Sequence, residues 1–339
     1  MGFYLNENGL NAILECLGKE YKIYGPIRIT GGNTFSDVDC IRYGVIKKAR
    51  DIVFDQKSNY SFKEVLFPVS QTLLSFTDER ICEAEPEEKG SIVFLRSCDL
   101  HAVKRLDGIF LQNGRNEDYY YKRLRKRTKF ILMGCRKAFD SCFCVDMGTN
   151  QTNEYDMSLE PTDGGFLVDN RCDEWSRLLK EHCMDQRVVI PSHVSETKNH
   201  VLIPNELSPE VGKSKIWDEY DSRCINCGRC NFVCPTCTCF TMQDISESRV
   251  VGERRRVHAS CMVNGFTDIA GGGSFRKKNG ERMRYKVLHK VYDFKERFGY
   301  QMCVGCGRCD DICPEYISFS HCVNRLQDAV EEVKDYAAK

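Results

Sequence analysis

The chain has 339 residues, with Lys+Arg and Asp+Glu both at 49, so its formal charge is zero and no global field exists to gather nucleic acid or an acidic membrane surface. The start, MGFYLNENGL, lacks a basic segment followed by an apolar run, and no window approaches the roughly 18 apolar residues of a transmembrane helix, so a cytoplasmic protein with no membrane or nucleic-acid partner is expected. In that reducing compartment its 21 cysteines, where grouped, point to metal ligation rather than to disulfides.

The first predicted helix is LNAILECLGKE, with Leu10, Ile13, Leu14 and Leu17 on one apolar face. SIVFLRSC reads as a buried strand, DLHAVKRLDGIF as a helix capped by Asp99 with Ala102, Val103, Leu106, Ile109 and Phe110 inward, and KFILMGC as a second strand. If the two strands run parallel, Cys98 and Cys135 meet at their carboxyl ends, where open α/β sheets build sites. A helix near CDEWSRLLKEHC and a strand at RVVI follow, and the proline-containing stretch from Pro191 to Ser214 reads as a linker. The predicted organisation is therefore an N-terminal domain with α/β elements over 1–200 and a cysteine-rich domain over 215–339, closed by a helix with Val323, Leu326, Val330 and Val333 inward. The isolated cysteines Cys16, Cys40, Cys82, Cys172 and Cys183 read as small buried hydrophobes.

The chemistry concentrates in two copies of one pattern. CINCGRCNFVCP and CVGCGRCDDICP are both C-x2-C-x2-C-x3-C-P, the spacing of a bacterial-type [4Fe–4S] site in which the fourth cysteine serves the other cluster. That assigns one cluster to Cys224, Cys227, Cys230 and Cys313, and the other to Cys303, Cys306, Cys309 and Cys234. Zinc favours C-x2-C pairs split by a longer spacer and fits three evenly spaced cysteines poorly. Gly228 and Gly307 suit the tight loop. For Arg229 and Arg308, plain solvent exposure and a role in offsetting cluster charge stand level, while ERRR in the long insert between the motifs reads as a solvated face.

Cys98, Cys135, Cys142 and Cys144 form a candidate third [4Fe–4S] site, with the N-terminus of the helix after Cys98 favouring an anionic cluster; a structural zinc or reduced buried thiols are the alternatives. Cys237 and Cys239 either tune the first cluster or fill space, Cys261 and Cys322 are undecided, and His101 and His258 read as hydrogen-bonded structural histidines.

The long insert makes the repeated motifs similar to α-helical ferredoxin modules of multi-subunit oxidoreductases. More specifically, RCINCGRCNFVCPTCTCF, CVGCGRCDDICP, DVDCIRYG, KEVLFPVSQTLLSF, RSCDLHAVKRLD and CFCVDMG resemble the A subunit of anaerobic sulfite reductase, a family related to the β subunit of sulfhydrogenases. The resemblance implies an α+β N-terminal domain, a C-terminal α-helical ferredoxin-like domain with two [4Fe–4S] motifs, and a non-catalytic electron relay. The implied partners are an NADH-oxidising flavin subunit and a siroheme subunit that reduces sulfite to sulfide. No G-x-G-x-x-G fingerprint opens a helix after a strand and no nucleophile–base pair stands out, so flavin, nicotinamide and siroheme are expected on partners. The alternatives are the iron–sulfur β subunit of a soluble NAD(P)-linked hydrogenase or sulfhydrogenase and, from another class, an iron–sulfur redox sensor or scaffold, for which no DNA-binding helix pair or signalling domain is evident.

Overall fold

The computed structural model describes residues 1–33, 36–85 and 87–337; the remaining positions of the 1–200 and 215–339 spans lie outside the described residues. In chain order, β1 is Gly2–Leu5, α1 Glu7–Leu17, β2 Tyr21–Ile29, β3 Cys40–Val45, β4 Ser70–Phe76, β5 Ile81–Glu83, β6 Gly90–Leu95 and α2 Ser97–Leu111. These are followed by β7 at Thr128–Met133, β8 at Met157–Thr162, β9 at Gly165–Asn170, α3 at Ser176–His182 and β10 at Asp185–Gln186. Strands β11 (Phe240–Ser246) and β12 (Gly252–His258) precede α4 (Asn279–Leu288), α5 (Phe294–Phe298), α6 (Phe319–Asn324) and α7 (Leu326–Ala337).

An eight-stranded mixed sheet in the order β10-β1-β9-β8-β7-β6-β2-β3 carries the N-terminal half. Its centre is parallel: β2 with β6, β6 with β7 and β7 with β8. Successive side chains of a strand point to opposite faces, so β6 sends Ile92 and Phe94 into a core with Leu10, Ile13 and Trp175, and Val93 and Leu95 into another with Leu106, Phe110 and Phe62. The predicted strand–helix–strand unit is present, with α2 packed over the second of these faces. Asp99 is not its cap: Arg96 holds the N-cap position without a side-chain bond, while Asp99, in the first turn, is fully buried for a different reason given below.

The expected strand at RVVI is absent. The ladder with β1 covers Asp185–Gln186, with one further bond from Arg187 N–H to Gly2 O at 3.2 Å, and Val188 and Ile190 stand 91% and 81% exposed. Local β-propensity without a partner strand makes no strand. The stretch after Pro191 has no helix or strand until Pro209, yet it is tied down at both sides: Cys135 N–H donates to Ser192 O at 3.0 Å and Asn324 Nδ2 to His200 O at 2.9 Å.

A second sheet, β11-β12-β4-β5, joins strands from the N-terminal half to the insert between the cysteine motifs. It alters the reading of ERRR. Arg254 does pair in the open with Asp244, but a bulge at Arg254/Arg255 turns Arg256 inward, where it is 2% exposed, donates to Asp118 at 2.6 Å and lies over the Phe67 ring. The C-terminal core gathers Trp217, Tyr220, Val287, Val291, Leu326 and Val330, and the cysteine motifs pack against it. No helix among the described residues is long and apolar enough to cross a membrane.

Candidate metal centres

The two cysteine motifs adopt the same local form. In each, a glycine with positive φ, Gly228 at 72° and Gly307 at 69°, turns the chain into a one-turn helix, Arg229–Phe232 or Arg308–Asp311. A side chain at such φ is strained, which is the reason for glycine there.

The sulfurs face three neighbouring cavities. Cys224, Cys227, Cys230 and Cys313 line the first, with Met262, Met283 and Lys286. Cys234, Cys303, Cys306 and Cys309 line the second, with Lys286 and Lys290. Cys98, Cys135, Cys142 and Cys144 line the third, with Lys57, Arg96 and Arg308. Each set proposed from spacing or strand ends thus comes together, including the exchange of Cys234 and Cys313 between motifs. Among the described residues no three His, Cys, Asp or Glu side chains gather as for a single metal ion; the cysteines stand around spaces.

The cavities share walls. Cys230, Cys309 and Lys286 border both the first and second, and Cys306 borders both the second and third. The last junction follows from how closely the second motif presses on the CFC loop: Phe143 N–H donates to Gly305 O at 2.8 Å and Thr149 Oγ1 to Val304 O at 2.7 Å. A Cβ on Gly305 would lie 2.6 Å from the Phe143 carbonyl, and one on Gly307 would lie 2.2 Å from Ser141 O, so backbone packs directly on backbone.

The electrostatics show what the cavities suit. Burial, together with Cys142 and Cys135, pushes the Cys144 thiol up to about 12, and burial pushes Cys303 up to about 12. Several thiols around one space oppose each other's ionisation, a cost that a cationic metal core removes. Lys63, Lys286 and Lys290 are 2–4% exposed. Burial disfavours the charged form of each, and the anionic groups acting on them are cysteine sulfurs: Cys237 and Cys234 on Lys63, Cys230 and Cys309 on Lys286, Cys234, Cys237 and Cys303 on Lys290. With those sulfurs ionised, as metal ligation would make them, the ammonium groups of Lys286 and Lys290 are held above their ordinary range, whereas burial wins for Lys63. A buried ammonium needs a compensating anion. A thiolate-ligated iron–sulfur cluster supplies one, so donor set and surrounding charge both fit that group.

At the third cavity, where Lys57 and Arg96 also stand, the most buried cation is Arg308. Its guanidinium grips Asp99 through two bonds of 2.7 and 2.9 Å and Ser58 through Nε and Nη2, with Arg308 2% and Asp99 0% exposed. This decides against solvent exposure for Arg308 and explains the burial of Asp99. Arg229 is half-buried.

Other sequence candidates have ordinary roles. His101 Nε2 lies 2.9 Å from Gln151 O, and His258 Nε2 lies 2.8 Å from Phe67 O with its ring stacked on Phe67. Cys237 is buried beside Lys63, Cys261 sits 3.1 Å from Asn231 Nδ2, and Cys322 sits 3.1 Å from the Tyr220 hydroxyl. Cys40 and Cys172 are buried and Cys16 and Cys183 half-buried, but Cys82 is exposed, on the edge strand β5, whose three residues are all exposed. The sequence reading missed Lys63, Lys286 and Lys290. A signal for the last two exists: they fall four residues apart on the same helical stretch as Met283, Val287 and Val291, which are all buried.

A family model described as a 4Fe-4S dicluster domain matches residues 223–317, the span that holds all eight motif cysteines. Sulfhydrogenase 2 subunit beta of Pyrococcus furiosus is 27% identical over 328 residues, covering 91% of this chain and 93% of that protein. No solved structure matches the chain. The chain is thus a mixed α/β protein with a C-terminal 4Fe-4S dicluster domain.

Proposed function

We propose that the chain is a non-catalytic electron-transfer subunit of a soluble multi-subunit oxidoreductase. Residues 215–339 hold two [4Fe–4S] clusters, on Cys224, Cys227, Cys230 and Cys313 and on Cys303, Cys306, Cys309 and Cys234. Residues 1–200 hold a third on Cys98, Cys135, Cys142 and Cys144. The observation that carries this reading is the gathering of each four-cysteine set around one cavity, with the buried Lys286 and Lys290 in the wall of the second. Each cluster, when bound, takes up and releases one electron at a time.

The chain's own residues supply the remaining requirements. Shared walls at Cys230, Cys309 and Cys306 keep the sites adjacent in the order first, second, third. Met262, Met283 and Phe319 keep the first cavity apolar behind its mouth at the exposed Cys227. Lys286 and Lys290 offset negative charge where water cannot, while the charge of Arg308 is matched by Asp99.

For the assembly served, the β subunit of a sulfhydrogenase is better supported than the A subunit of anaerobic sulfite reductase, since the relative similar over nearly the whole chain bears the former name. The sulfite reductase reading rests on the motif resemblance alone. In either case flavin and nicotinamide belong to a partner.

Iron and labile sulfide counting with EPR on anaerobically purified protein tests the wire: about twelve irons per chain for three clusters, with about eight removing the third and zinc without sulfide overturning the proposal. Isolation of the native complex tests the terminus. A co-purifying nickel–iron subunit is expected, and a siroheme subunit with its absorption bands would restore the sulfite reductase reading.

A further inference from the structure

Between α4 and α5 the helix passes through a π-helical turn, His289–Asp293, and Lys290 stands in it, 3% exposed. Wider π turns leave backbone carbonyls available outside the helical ladder and recur at functional sites. Here the Lys290 carbonyl accepts from Met302 N–H at 2.8 Å and from Cys303 N–H at 3.2 Å, and so anchors the start of the second motif. Its ammonium reaches the other way, donating to Thr236 Oγ1 at 2.8 Å. Thr236 is fully buried, two residues beyond Cys234, with its hydroxyl 3.4 Å from the Cys234 sulfur. One residue therefore holds both stretches of chain that must meet for the second cavity to have four cysteines.

We propose that Lys290 is the positioning residue of the second site: its carbonyl and ammonium bring the Cys303 loop and the Cys234 segment to one cavity, and its charge favours the reduced cluster there. The proposal rests on the two-cluster reading above and goes beyond it in assigning the fourth ligand's recruitment, and a higher reduction potential, to a residue that is no ligand. A positive charge in a buried wall stabilises the more negative redox state, and of the three cavities Lys290 lines the second.

The test uses the full chain loaded anaerobically, with iron and sulfide counts, EPR-monitored redox titration and the rate of iron loss to a chelator. Lys290→Met should leave the second cluster at least tenfold less reduced at the wild-type midpoint, a shift of about 59 mV or more for one electron, with a smaller change at the first. Lys290→Arg should recover most of the shift. Thr236→Val, which keeps the charge and removes its acceptor, should release iron from the second site severalfold faster while its midpoint stays within about threefold of wild type in the same ratio. Where Lys290→Met gives no soluble chain, Lys290→Gln carries the same comparison. Wild-type protein with about eight or more irons and variants that match it in potential and iron retention would overturn this proposal alone, as would equal shifts at both sites. Wild-type protein with fewer than two clusters would overturn the reading beneath it.

Discussion

The two cysteine motifs share CGRC, the same spacing and the same glycine-started turn, but they sit in different surroundings. In the first, Cys227 is exposed and Arg229 half-buried; in the second, Cys306 is buried and Arg308 is locked into Asp99 and Ser58 of the N-terminal half. The second motif is pressed against the CFC loop, whereas the first borders solvent. Spacing thus determines which sulfurs converge, and the neighbouring fold decides how wet and how charged each site is.

The sharpest way to separate the motifs is to remove their arginines. Arg308→Gln leaves Asp99 buried and unpaired and should cost about 3–5 kcal/mol in urea unfolding, more than Arg229→Gln at the half-buried position of the first motif. Equal losses would mean that the arginines play the same part.

Acid should act on the flank of the first motif. Burial, with Lys63 and Arg256 nearby, holds His258 at about 4, below its ordinary 6.5. Between those pH values the unfolded chain binds a proton that the folded chain does not, so stability present above pH 6.5 is lost as pH falls towards 4, by about 3 kcal/mol in total. In the apo chain His258→Gln should flatten that part of the pH profile of urea stability.

The glycines offer a finer comparison. Alanine at 228 carries the left-handed penalty of about 1–2 kcal/mol and meets the movable Val263 side chain at 2.7 Å. Alanine at 307 carries the same penalty and meets the Ser141 backbone at 2.2 Å, so Gly307→Ala should destabilise more and also disturb the EPR signal of the cluster proposed for the third cavity. The smallest effect expected is kinetic: a chelator should strip the first site severalfold faster than the second, because Cys227 is exposed while the second cavity's cysteines are all buried or half-buried.

The pieces of this arrangement that local sequence encodes were legible. Cysteine spacing grouped the eight motif cysteines as they line two cavities, and a strand–helix–strand pattern put Cys98 and Cys135 at adjoining strand ends. What stayed hidden depends on distant partners. Val188 and Ile190 look like strand residues and have no strand to join; the Arg-rich insert looks solvated until β12 pairs with β4. Lysines on a helix read as surface residues, yet Lys286 and Lys290 are buried in the wall of a cavity that cysteines from distant parts of the chain complete.

The sheet formed by β4 and β12 also bears on how the chain is made. Gly252 pairs with Phe76 and Val257 with Ser70, so during synthesis the β4–β5 hairpin emerges long before the strand that covers it. Until then β4 presents an open edge, the kind of surface on which partly made chains associate wrongly. A nascent chain stopped before Gly252 should therefore be the species that most needs a chaperone, and the loop between the cysteine motifs, besides spacing the two sites, completes a sheet begun some 180 residues earlier.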